Sequence, residues 1–104
     1  MFIRKGKLMR KLSVIRFKPK PECFDEFVAA SKEFSKDKGT ANPPTHYIMT
    51  CKDEVFAIII RDSNTMSENM ENGVSWLDSQ RHLLQEYNEI DRHTMPVSGD
   101  LVEY

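Results

Sequence analysis

The chain has few of the residues that build cross-linked or phosphate-binding proteins. Its 104 residues contain only two cysteines, Cys23 and Cys51. Two thiols make no disulfide framework, and with no secretion-type leader they read as reduced and cytoplasmic. Only four glycines occur, and none forms a Gly-rich phosphate loop. No Cys-His spacing matches a zinc site, so no resident metal or other cofactor is expected. No run approaches the roughly 20 apolar residues that cross a bilayer, so no membrane partner is expected. The basic start MFIRKGKLMRK lacks the apolar segment of a signal peptide. Net charge is −1, and no global field draws the chain to nucleic acid.

What remains is enough for one small domain. The hydrophobic fraction of 39% is low, but 10% aromatic residues favour a folded core over disorder. Residues 1–10 read as a basic arm, and 11–104 as a single domain with no room for a second core. A domain of this size leaves much surface exposed, and burying a face against a second subunit would help it.

The apolar pattern changes period along the chain. In KLSVIRF, Leu12 and Val14 point one way and Ile15 and Phe17 the other, which is a strand, stopped by Pro19 and Pro21. Phe24, Phe27, Val28 and Phe34 then fall on one helical stripe. Pro21, Glu22, Asp25 and Glu26 suit its start, Lys36 and Lys38 its end, and Gly39 its C′ position. Tyr47–Cys51 and Val55–Ile60 form a hairpin with Lys52, Asp53 and Glu54 near the turn. The second arm is apolar on both sides, so both its faces need cover.

Thr65 to Glu68 offers a capping box, followed by a break at Asn72-Gly73. Ser75 is then expected to cap a second helix whose stripe runs through Val74, Leu77, Leu84 and Tyr87, widened by Trp76, Leu83 and Ile90. HTMPVSGDLVEY reads as an edge strand, because Pro96 cannot donate to a ladder, with Gly99 marking a bulge. The order β-α-β-β-α-β with right-handed crossovers predicts an α+β, ferredoxin-like fold: a four-stranded antiparallel sheet with two helices on one face. The other sheet face is left bare, and it carries about half of the strands' apolar residues.

This order over about 12–104, with EVFAIIIRD and the ending PVSGDLVEY, resembles the dimeric α/β-barrel superfamily, which includes antibiotic-biosynthesis monooxygenase-like proteins. The resemblance implies a homodimer closed through the helix-free sheet faces, forming a dimeric α/β barrel. It also implies a site for a small, mostly apolar or aromatic molecule between helices and sheet. Its enzyme-like members often place a Trp at the end of the third strand and a His on the second helix. Here that strand ends IIIRDS and Trp76 lies later, while His82 falls on the expected helix. By residue type and expected position, His82 would accept a proton, Arg61 would stabilise an anion or oxyanion, and Trp76 and Tyr47 would be walls.

Three functions follow. One is a metabolite-binding homodimer with no firm catalytic signature. The alternative is a cofactor-independent monooxygenase-like enzyme acting on a small aromatic or quinol substrate. The third is an RNA-binding module, which would want stacking aromatics on the first and third strands; only Phe17 and Phe56 are offered, among aliphatics. The segment SWLDSQRHLLQEYNEIDRH also places His82, Glu86, Glu89 and His93 on one face of an uninterrupted helix. Such spacing can hold a divalent ion, but a solvated helix face has the same composition.

Cys23 sits in a helix first turn that would activate a thiol, but its acidic neighbours oppose this. Cys51 reads as a small packed side chain, and His46 as a satisfied or surface histidine near a sheet edge.

Overall fold

The computed structural model describes residues 10–36, 44–63, 66–90 and 92–102, with the side chains of 66–70 excepted. Strand β1 spans Arg10–Phe17, helix α1 Phe24–Lys36, β2 Thr45–Cys51, β3 Glu54–Asp62, helix α2 Met66–Gln80 and β4 Met95–Asp100. The strands form one antiparallel sheet in the order β2-β3-β1-β4. With both helices on one face, this is the ferredoxin-like α+β fold. Arg10 and Lys11, read as part of the basic arm or its border, belong to β1. The rest of the arm, Gly39 and Thr65 lie outside the described residues.

The two-residue alternation of β1 and β3 divides the sheet. Ser13 pairs with Ile59, Ile15 with Ala57 and Phe17 with Val55, all toward the helices. Leu12 pairs with Ile60, Val14 with Ile58 and Arg16 with Phe56, all away from them. The core is built on the first set: Phe17, Phe27, Val55, Leu83 and Leu84 are buried together, with Ile15, Ile48, Ala57, Trp76 and Leu77 packed against them. Each fully buried side chain of this size contributes about 1.5–3 kcal/mol. A one-turn 3-10 helix at Pro21–Cys23 leads into α1, where Pro21 needs no N–H partner.

The second half of the chain departs from its sequence reading. Helix α2 begins at Met66 and runs unbroken through Asn72 and Gly73. A helical glycine costs only about 1 kcal/mol, and Gly73 is crowded by nothing. The helix stops at Gln80, and a 3-10 turn over Arg81–Leu83 releases Leu84 into extended backbone. Main-chain bonds explain the stop. Lys20 N–H donates to the Leu83 carbonyl and Gln85 N–H to the Lys18 carbonyl, both at 2.8 Å, and Leu84 pairs with Pro19 as an isolated bridge. Leu83 and Leu84 thus reach the core from outside the helix, not as part of its stripe. Val74 and Ile90, both placed on that stripe, are exposed, Ile90 at 92%.

Strand β4 is the expected edge, but it carries no bulge. Gly99 faces Leu12 and Pro96 faces Ile15 in unbroken register from Met95 to Asp100.

Candidate functional site

The helix side of the sheet changes character along its length. From the hairpin end, aromatic rings run along it as far as His46. Phe17 lies 5.0 Å from Phe27, and Trp76 stands edge-on to Phe17 at 6.2 Å and tilted to Phe27 at 5.7 Å. Phe34 stacks on Trp76 at 4.8 Å, and His46 stacks on Phe34 at 6.0 Å. These rings come from β1, β2 and both helices, so they tie the two layers together. Trp76 is partly buried and packs against the core, in contact with the rings of Phe17, Phe27 and Phe34.

At the opposite end the same face turns polar. Ile59 is flanked across the strands by Ser13 of β1 and His46 of β2. One step further along β3 is Arg61, only 7% exposed. Its Nη2 donates to Ser13 Oγ at 2.9 Å, and Ser13 Oγ lies 2.7 Å from Ser98 Oγ on β4. The Arg61 Nε hydrogen is buried and meets no partner. Burial alone pulls the Arg61 pKa below the usual arginine value. A guanidinium keeps its charge through such a shift, so this cation is desolvated and, among the described residues, makes no ion pair with a carboxylate. Lys11, opposite Arg61 on β1, pairs with Asp100.

The helix-free face has its own polar cluster at the hairpin end. Arg16 Nε and Nη2 grip Glu54 at 2.9–3.2 Å, and Tyr87 Oη donates to Glu54 Oε1 at 2.6 Å. The Arg16 guanidinium also lies over the Phe56 and Tyr87 rings. Hydrogen bonding from Arg16, then from Tyr87, holds the Glu54 carboxyl below its ordinary range. Burial, then the bond to Glu54, pushes the Tyr87 hydroxyl pKa well up. Glu54 is therefore a locked carboxylate and Tyr87 a locked donor. Together they fasten the segment after α2 around the end of the sheet.

The four residues singled out from the sequence do not converge. Trp76 and Arg61 share the helix side. Tyr47 pairs with Ile58 on the helix-free side, and is 60% exposed. His82 lies exposed in the 3-10 turn beyond α2. The histidine–carboxylate spacing of 82–93 also dissolves, because the helix ends before His82. His93 is buried instead, with Nδ1 3.1 Å from Arg81 Nη1. Burial, then the Arg81 charge, pulls the His93 pKa down. Among the described residues no group of His, Cys, Asp and Glu could hold a metal ion. Both thiols are free; Cys23 is half-buried, and Cys51 is exposed, not packed.

Sequence reading missed Ser13 and Ser98 as partners of Arg61. One signal was present: Ser13 is a small polar residue at an inward position between Leu12 and Val14, where an apolar side chain is the rule. It also missed the Arg16–Glu54–Tyr87 cluster, whose members are joined only once the chain after α2 folds back.

Comparison with protein-family models and with curated proteins finds no match to this chain. Among the described residues, no helix is long and apolar enough to cross a membrane.

Proposed function

We propose that the chain acts as a homodimer of the dimeric α/β-barrel kind, in which two copies close their helix-free sheet faces on each other. In this reading each subunit binds a small apolar or aromatic metabolite between helices and sheet, in a cytoplasmic setting that leaves both thiols reduced.

The observation that carries the reading is the composition of the helix-free face. Leu12, Val14, Phe56, Ile58, Ile60, Tyr47, Met49 and Val97 alternate onto it in one continuous apolar field. Tyr47, Met49 and Val97 are 60%, 47% and 65% exposed, and nothing among the described residues covers them. Contiguous apolar patches of several hundred Å² mark interaction sites on folded domains. Charge is confined to the ends of the field, at Arg16 and Glu54 on one side and Arg10 and Asp62 on the other. Aliphatic side chains at its centre favour packing against a like face over stacking of nucleic-acid bases.

Binding is preferred to catalysis because His82, Arg61, Trp76 and Tyr47 are dispersed over both faces, so among these four no proton acceptor stands beside a charge-stabilising group. The monooxygenase-like alternative would need His82 to reach the helix–sheet layer from its exposed turn.

A thermal-shift screen with flavin, haem, quinols, small aromatics and divalent ions tests the ligand half, since a compound that binds the native state raises its melting temperature. A neutral or aromatic hit supports it, and a blank screen refutes it. Val14→Asp tests the dimer half: it places a charge at the centre of the joined faces and should yield a folded monomer.

A further inference from the structure

We propose that His93 is an acid-released latch: below neutral pH it lets go of Arg81 and frees the turn between Tyr87 and Arg92, while the sheet stays folded. The device works within one subunit and does not depend on the pairing or ligand readings above.

The turn is a closed unit with a fastening at each end. Tyr87 N–H donates to the Arg92 carbonyl at 2.6 Å, and Arg92 N–H to the Asn88 carbonyl at 3.0 Å. Ile90 N–H donates to Asn88 Oδ1 at 2.9 Å. At the entry, Tyr87 Oη holds Glu54 of β3. At the exit, His93 Nδ1 lies 3.1 Å from Nη1 of Arg81, in the 3-10 turn after α2. The turn borders the helix-free face, since Asn88 Nδ2 lies 3.9 Å from Met95 Sδ and Met95 pairs with Arg16 on that side. Its release reshapes that border.

Only one of the two fastenings is sensitive to mild acid. A guanidinium can only donate, so His93 Nδ1 is the acceptor and the ring is neutral, with its proton on Nε2. A proton added at Nδ1 removes the acceptor and sets two cations against each other. His93 is only 8% exposed, so water does little to offset this. Among the described residues, Arg81, Arg92 and Lys20 oppose a charged His93 ring and Glu86 favours it. Glu86 is itself drawn to Arg92 at 3.6 Å. Arg81 Nε donates to Asp78 of α2 at 2.9 Å, which keeps the guanidinium in place when His93 leaves.

At the other fastening the Glu54 carboxyl is held below its ordinary range and the Tyr87 hydroxyl above its own, so neither titrates between pH 7 and 5. The closed-state pKa of His93 is lowered by burial and by Arg81. The latch is therefore fully shut above the ordinary histidine pKa of about 6.5 and weakens as pH falls below it.

The test is hydrogen exchange of the full chain between pH 7 and 5, with intrinsic exchange rates divided out. Protection of the Tyr87, Ile90 and Arg92 amides should fall at least about tenfold, following the uptake of one proton. At pH 5 their exchange should be insensitive to low urea, because a local opening exposes little surface, whereas β1 amides should exchange through urea-sensitive unfolding. His93→Gln keeps an acceptor for Arg81 and cannot gain charge, so its protection should not change with pH. An NMR titration of the unmodified chain, which needs no variant to fold, should place the His93 ring pKa below about 6.5.

Protection that holds to pH 5 would overturn the latch, as would a His93 ring pKa at or above the ordinary value. Exchange of the turn with the urea dependence of β1 would mean that acid unfolds the whole domain, and would overturn it too. An equal loss of protection in His93→Gln would assign the acid response to another group and remove His93 from it.

Discussion

Phe27→Ala compared with Ile90→Ala separates the folded packing from the apolar pattern of the sequence. Both residues belong to apolar stripes when read along the chain. In the structure Phe27 is fully buried, with Phe17 at 5.0 Å and Trp76 at 5.7 Å, whereas Ile90 is 92% exposed in a turn. Removing a buried phenylalanine ring costs about 3–5 kcal/mol, made up of lost transfer energy and the cavity left behind. The upper half of that range is expected here, because the neighbouring rings are held by their own contacts and cannot collapse into the space. The two lost ring–ring contacts add about 0.5–1.5 kcal/mol each to simple area burial.

For a domain of this size, total stability is about 5–15 kcal/mol, so the variant should lose a third or more of it. Urea denaturation at fixed protomer concentration is the assay, because the proposed dimer would make the midpoint concentration-dependent. Ile90→Ala should change stability by less than about 0.5 kcal/mol. A Phe27→Ala loss below about 1 kcal/mol, or equal losses for the two variants, would refute the packing described for α1 and α2.

Three further outcomes follow from single contacts. Tyr87→Phe removes the donor to Glu54 and should cost about 1–2 kcal/mol, with hydrogen exchange accelerating over 85–93 and unchanged in β1. The folded-state pKa of His93 is depressed, so its contribution is fully present above the ordinary histidine pKa of about 6.5 and is lost as pH falls below it. Urea midpoints should therefore drop from pH 7 to 5, and His93→Gln should flatten that slope. Lys52 has φ +57° in the hairpin turn, a conformation glycine adopts without strain. Lys52→Gly should raise stability by about 0.5–1 kcal/mol, and a loss of that size would mean the turn is built differently.

The strands and first helix were legible because their signals are local. Alternation in β1 assigned Leu12 and Val14 to one face and Ile15 and Phe17 to the other, and the register agrees. The stripe through Phe24, Phe27 and Val28 likewise gave α1. Helix α2 was misread because its limits are set by distant contacts. Asn72-Gly73 looks like a break, but one glycine is too weak a penalty to stop a helix. The real end, at Gln80, is set by pairing of 83–85 with 18–20, residues far away in sequence.

The same non-local pairing removed His82 and His93 from a common face and put Tyr87 against Glu54. For the site, Arg61 was legible as a charged residue in an apolar strand. Its partners Ser13 and Ser98 come from two other strands, and only the sheet order brings them beside it. Tyr47 was legible as an aromatic strand residue, but its side of the sheet depends on pairing with Ile58.

The pairing of helix-free faces is tested most directly by sedimentation equilibrium of the full chain at micromolar concentration. A mass twice the subunit's 12.1 kDa is the predicted result. A species of one subunit mass that stays monodisperse at about a hundred times that concentration, with Leu12, Val14, Ile58 and Ile60 facing water, would contradict it.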